Sequence, residues 1–263
     1  MKRIILLSVT LTFLTILSCC KKDAVRGIYN SGKATMGAGT VYSWVNFDKN
    51  SNPLSFGLTL NDAALTNLPV SNNNNSGHNH HNSIELTLPS EANLITPFNH
   101  IVIDWNPDGH EPKPIYAAPH FDFHFYMMTS ADRKKIPSYA QDSTGFSNRP
   151  SSEYFPPNYF NPPLVVSSDP QMGTHWVDAN SPELQPGGVF TETFVYGSFN
   201  GKVNFIEPMI TYDFFKNITE WSRTIPQPAK VQLSGYYPTK LSISHLNGEY
   251  ILSLEDLIYR EAN

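Results

Sequence analysis

At 263 residues the chain is long enough for one sizeable β-domain with a substantial core. Its 18 basic and 23 acidic side chains leave a net charge of -5 and a charged fraction of 16%, which argues against a nucleic-acid partner. The 21 prolines, 13 tyrosines and 16 phenylalanines favour short strands joined by proline-rich loops over long helices, and no fixed-period repeat points to a propeller or solenoid.

Residues 1–18 read as a lipoprotein signal peptide: Lys2 and Arg3 form a charged n-region and Ile4 to Leu17 an apolar run broken only by Ser and Thr. The run is too short for a convincing spanning helix. Ile16-Leu17-Ser18-Cys19 resembles the bacterial lipobox, whose cysteine is diacylated and becomes the mature N-terminus. Leu17 stands where that pattern prefers a smaller residue, Cys20 is the neighbouring candidate, and an ordinary cleaved secretory signal is the plainer alternative. Residues 19–27 would then be lipid anchor and tether, with Cys19 in a bacterial membrane and the protein in the cell envelope, on its periplasmic side or at the cell surface. With both cysteines so assigned, residues 28–263, expected as a single β-rich domain, hold no thiolate. Any metal site there must use His, Asp and Glu.

Thr40 to Phe47 and the alternating Leu54 to Leu60 flank a turn-rich stretch and predict a hairpin. Asn61 to Leu68 reads as a brief helical turn. Ser71 to Asn82 is polar and of low complexity, so its His78, His80 and His81 read as part of a solvated loop. Ile84 to Leu88 and Ile101 to Trp105 are strand-like, and Asn106-Pro107-Asp108-Gly109 is a strong turn signal. His100 and His110 flank this stretch and form a possible additional site. In a hairpin with the next strand, His100 is expected near the level of His120.

Pro119 to Tyr126 (PHFDFHFY) is the stretch around which the chain is organised. Its strict alternation puts His120, Asp122 and His124 on one face of a strand and Phe121, Phe123 and Phe125 on the other, with Tyr126 closing the polar row. Two imidazoles and a carboxylate are the ligand set of divalent zinc, manganese or iron. Residues four apart on a straight strand are ~13 Å apart, so His120 and His124 cannot share one ion without a bulge.

Ser130 to Ile136 predicts a short helix, with Ser130 as its cap, and Pro137 to Pro163 a long ordered loop laid over the domain or a neighbouring copy. In Met172 to Asp178, Gly173 permits close backbone approach and His175 points away from Trp176. Val189 to Phe199 and Lys202 to Ile210 flank the hairpin turn Asn200-Gly201. Counting outward from that turn places Glu192 opposite Met209 and Glu207 opposite Phe194, a diagonal pair of acids on one face. Each needs a partner if buried. Ile210 to Trp221 includes a short helix, Ala229 to Gly235 and Leu241 to Leu254 are strand-like with a turn at Asn247-Gly248, and Glu255 to Asn263 is expected to fray.

The fold class is therefore all-β: an antiparallel β-sandwich or jelly-roll-like domain with long Pro/aromatic-rich loops and one or two short helices. The stretches WNPDGHEP at Trp105 to Pro112, PHFDFHFYM at Pro119 to Met127, MGTHW at Met172 to Trp176 and FTETFVYGSFNGKVNFIEPMIT at Phe190 to Thr211 together resemble the DUF5602, or TTHB210-like, family of bacterial exported proteins of unknown function. The resemblance implies an all-β domain, export and an oligomer as one outcome, with no established activity. Three functions stay open. One is a metal-binding β-domain in which His120, Asp122 or His124, His175 and one of Glu192 and Glu207 surround a divalent ion, zinc foremost. The second is a metal-dependent envelope enzyme, hydrolase- or lyase-like, in which an ion holds an activated water; neither HExxH nor GxSxG is present. The third is a metal-free oligomeric scaffold or binding module, whose small-molecule or protein ligand the sequence does not name.

Overall fold

The computed structural model describes residues 25–70 and 82–263. The signal peptide, Cys19, Cys20, His78, His80 and His81 lie outside the described residues. Among the described residues no helix is long and apolar enough to cross a membrane.

Strands β1 (Gly27–Asn30), β2 (Ala34–Met36), β3 (Gly39–Phe47) and β4 (Pro53–Asn61) begin the first sheet. The chain then crosses to a second sheet with β5 (Ser83–Thr87), β6 (His100–Asn106) and β7 (His120–Tyr126). Helices α1 (Ser130–Arg133) and α2 (Ser143–Ser147), strand β8 (Tyr159–Phe160), helix α3 (Leu164–Ser167) and strand β9 (Ser168–Asp169) run over that sheet. Strands β10 (Gly173–Asp178), β11 (Glu192–Phe199) and β12 (Lys202–Thr211) complete it. After α4 (Tyr212–Asn217), β13 (Glu220–Thr224), β15 (Lys240–Leu246) and β16 (Glu249–Glu255) return to the first sheet, while β14 (Gly235–Tyr237) and β17 (Ile258–Arg260) pair as a separate two-stranded sheet.

The sheets are antiparallel, in the orders β1-β3-β4-β16-β15-β13 and β5-β6-β7-β12-β11-β10-β8. Strand alternation drives the inner faces together. Val45, Phe56, Leu58 and Leu252 of the first sheet share one apolar cluster with Ile103, Phe121, Phe123, Phe125 and Ile206 of the second. The three phenylalanines of β7 are fully enclosed, and each such ring contributes ~1.5–3 kcal/mol. The expected all-β, sandwich-like class is what the fold shows. Among the described residues there are four short α-helices where one or two were expected. Two of them are set by side-chain caps: Thr129, not Ser130, accepts from the Asp132 amide, and Asp142 accepts from Gly145 inside the proline-rich segment.

Three further expectations are corrected. The tail is not frayed, because Ile258–Arg260 pairs with β14, and the strand expected over Ala229 to Gly235 starts only at Gly235. In the β11–β12 hairpin, Phe199 does face Lys202, but the register slips between Gly197 and Ser198. The extra residue is Asn204, whose side-chain amide donates to the Met172 carbonyl at 2.6 Å. Glu192 thus faces Ile210 and Glu207 faces Val195. A shift of one residue exchanges the faces of a strand, so the two acids end on opposite sides of the sheet.

Helix α1 is pinned to the edge strand by Glu85, which accepts from the Ser130 hydroxyl at 2.5 Å and from Arg133 at 2.9 Å. Partial burial pushes the Glu85 carboxyl up, but the bonds from Ser130, Lys134 and Arg133 outweigh it and bring the pKa down to about 2. A carboxylate whose folded pKa is depressed stabilises the fold above its ordinary value of 4.5 and loses that effect as pH falls toward 2. Glu85→Gln should therefore lower the melting temperature by several degrees at pH 7, with the gap from the parent closing between pH 4.5 and pH 2. A gap that does not change with pH would show that the charge is not what matters.

Candidate metal centre

The outer face of the second sheet is polar yet buried. His120, Asp122 and His124 of β7, Asp104 and Asn106 of β6, and Glu207 of β12 all lie on it at 4% exposure or less. Register brings them together: Asp104 and Asn106 sit opposite Asp122 and His120, and Met209, two residues beyond Glu207, sits opposite Asp122. The face is closed by side chains from the covering segments. Tyr116 and Phe190 pack with Val195 and Met209 in one cluster, and Met172 packs with Val102, Tyr126 and Phe205 in another.

Two ligand groups result, His110–His120–Asp122 and His124–His175–Glu207, in each of which the ligand atoms lie within 4.8 Å of one another. In the first, His120 Nε2 is 3.2 Å from Asp122 Oδ1 and His110 Nε2 is 3.5 Å from Oδ2. Their Nδ1 atoms lie 2.7 Å from the Ala118 carbonyl and 2.5 Å from the Glu111 carbonyl. A carbonyl can only accept, so the proton sits on Nδ1 in both rings and Nε2 is turned toward the acid. Asn106 donates to Asp122 Oδ2 at 2.7 Å and fixes the carboxylate in turn.

In the second group, His124 Nε2 is 3.4 Å from Glu207 Oε1 and His175 Nε2 is 3.6 Å from Oε2. His175 donates from Nδ1 to the Ser167 carbonyl at 2.9 Å. His124 turns its other nitrogen to Asp104 Oδ2 at 3.2 Å, and Asp104 also accepts from the Ser83 hydroxyl. Burial disfavours charge on His124, but the carboxylates of Glu207 and Asp104 more than offset it and raise its pKa. Asp104 is the mirror case: burial pushes it up, and the hydrogen bond and charge of His124 hold it below the usual carboxylate range.

These separations carry chemical information. An imidazolium donating directly to a carboxylate closes to ~2.7–2.9 Å. Nitrogen and oxygen ligands held ~2.0–2.2 Å from a tetrahedral ion stand about 3.4 Å apart. The four Nε2-to-carboxylate distances of 3.2–3.6 Å fit the second spacing. Imidazoles that send their other nitrogen to a backbone carbonyl are also the usual outer-shell arrangement of metal ligands.

Of the residues expected from sequence, His120, Asp122, His124, His175 and Glu207 lie in these groups, divided between two places. His120 and His124 fall in different groups, as their spacing on one strand requires. His110 joins the first. Glu192 does not join either: the register slip turns it to the opposite face, where Arg223 holds it at 2.8 Å. His100 does not lie at the level of His120 as expected, since the antiparallel pairing puts it opposite Tyr126 and leaves Asn106 opposite His120. It stacks on Tyr126 with ring centroids 4.9 Å apart, and burial lowers its pKa to about 4. Asp104 is the residue that sequence reasoning missed. An acid inside the β-branched run IVIDW is the same signal that singled out Glu207.

Fold and site together define an antiparallel β-sandwich whose second sheet carries a buried histidine and carboxylate face. A family model described as TTHB210-like, Hypothetical protein TTHB210, matches residues 48–105, so the chain is similar to that family over these residues, in agreement with the resemblance drawn from its motifs. All six residues of the two ligand groups lie beyond the matched segment, which ends at Trp105, and of the buried acids only Asp104 falls within it. No curated protein and no solved structure matches the chain.

Gly197, the β11 partner of His175, leaves room for the Phe205 ring on this face. A Cβ there would fall 2.0 Å from the Phe205 ring, and that ring packs edge-on against both His124 and His175 at 5.1 and 5.3 Å. Gly197→Ala should cost about 1–3 kcal/mol by overpacking, measured by denaturant unfolding. A variant as stable as the parent would mean that Phe205 has room to move and does not clamp the imidazoles.

Proposed function

We propose that the two groups form a divalent-metal centre, with zinc the preferred ion, in an exported, lipid-anchored protein of the bacterial cell envelope. The observation that carries the metal reading is the tetrahedral spacing between imidazole nitrogens and carboxylate oxygens, in a place where three carboxylates are sealed from water. Ligands of nitrogen and carboxylate oxygen without sulfur suit zinc. His110, His120 and Asp122 would hold one ion and His124, His175 and Glu207 the other, with Asp104 and the Ala118, Glu111 and Ser167 carbonyls orienting the rings. The apolar leader with its Cys19 supports export and anchoring.

A second reading, metal-dependent catalysis, is favoured by one feature. Each group offers three protein ligands, and catalytic zinc sites keep a position for water or substrate where structural sites are closed by four. An ion held there would supply Lewis acidity to a bound oxygen.

Elemental analysis of untagged protein should find one to two zinc ions per chain. His120→Ala and His175→Ala should each remove metal, additively, and Asp104→Asn should weaken zinc binding by about 10–100-fold through His124. Metal-free protein of equal thermal stability that does not respond to added zinc would overturn the metal reading. For the anchor, labelled palmitate should be incorporated by the parent and by Cys20→Ser, and lost in Cys19→Ser. Retention of label in Cys19→Ser would move the anchor to another residue, and an unlabelled parent would remove it.

A further inference from the structure

A cavity of about 240 Å³ lies against the outer face of the second sheet and borders both ligand groups. Val177, Val195 and Met209 of the sheet line it together with Tyr116, Val166 and Leu184. Into these apolar walls come two imidazoles, His110 from one ligand group and His175 from the other. The remaining four ligand residues are fully enclosed, and His175, at 8%, is the most exposed of the six. Glu111 and Ser167 also border the cavity, and their backbone carbonyls are the ones that orient His110 and His175. The wall of the cavity is thus the same chain that aims the exposed imidazole of each group.

A donor also borders the cavity: the Tyr116 hydroxyl, buried beside the Glu183 carboxylate. Burial and the charges of Glu183 and Glu207 keep it protonated, so it remains a donor.

Size and charge narrow the chemistry. An apolar cavity of ~150 Å³ stays dry and accepts benzene, whereas drug-sized ligands occupy ~300–1,000 Å³. The space here fits a single ring with a short substituent. With both groups filled, two divalent ions would set four positive charges against the carboxylates of Asp104, Asp122 and Glu207 in surroundings poor in water, and one anionic head would balance the excess. Without the ion that head would face Glu207 and be repelled.

Resting on the metal reading, we infer that the cavity binds a small aromatic carboxylate. The ring lies among Val177, Val195, Met209 and Leu184, and the carboxylate completes the coordination of the ion beside His175. Removal of metal should abolish binding, and filling the cavity should abolish it with the metal still in place.

Benzoate titrated into the full-length zinc-loaded protein by calorimetry is the test, with acetate as the head group without a ring and zinc content measured on the same samples. Benzoate should bind at least tenfold more tightly than acetate, and chelator-treated protein should bind neither. Val177→Phe should lose tenfold or more in benzoate affinity at unchanged zinc content; Leu184→Trp fills the space from the covering side if that variant does not fold. Equal affinities for benzoate and acetate, or full benzoate affinity in a filled variant, would overturn the inference and leave the metal reading standing. Parent protein without zinc would overturn both, since the carboxylate would then have no ion to meet.

Discussion

Three carboxylates, Asp104, Asp122 and Glu207, lie under a closed layer of side chains at no more than 1% exposure. A buried charge left alone costs several kcal/mol, so each of these acids must either bind a proton or have positive charge beside it. Asn106 and Ser83 donate to Asp122 and Asp104, but a neutral hydrogen bond does not supply the missing charge. Imidazoles approach all three acids: His124 bonds Asp104 directly, while the contacts to Asp122 and Glu207 match the spacing of ligands around an ion. The stability of the outer face and its chemistry are for this reason one question.

The two-faced strand explains why the acids are held so firmly. Phe121, Phe123 and Phe125 seat β7 in the sandwich core, and the residues between them have no freedom to turn away. β7 lies between β6 and β12, which bring Asp104 and Glu207 to its two sides. The other imidazoles come from outside this rigid centre: His110 from the β6–β7 connection and His175 from β10, toward the far edge of the sheet. The long proline-rich segments have a structural purpose in this arrangement. They carry the carbonyls that orient the rings and the apolar side chains that keep water off the acids.

Much of this was legible before any coordinates. Alternation in PHFDFHFY depends only on strand geometry, so it placed His120, Asp122 and His124 on one face without knowledge of the partner strands. Register was not legible, because it depends on contacts distant in sequence. The hairpin turn Asn200-Gly201 was recognised, but the slip at Gly197 arises where Phe205 lies over a residue without a side chain. That one extra residue sent Glu192 to Arg223 and left Glu207 with the histidines. His100 was misplaced for a related reason: a long connection hid which end of β6 meets His120. The pairing of Ile258–Arg260 with β14 joins segments more than twenty residues apart and leaves no local pattern to find.

The division into two groups follows from the same strand geometry. Asp122 and His124, two residues apart on β7, stand ~6.6 Å apart along it, whereas ions that share a bridging oxygen lie ~3.5–4 Å apart. Two ions here would act separately on their own ligands while still feeling each other's charge. With neutral imidazoles the three acids make the face triply negative; one divalent ion leaves a single negative charge, and a second reverses its sign. Filling the second group is therefore electrostatically harder than filling the first unless an anion enters with it. The group that borders the apolar cavity through its most exposed imidazole is the one placed to receive that anion, which ties the metal content of the sheet to what the cavity holds.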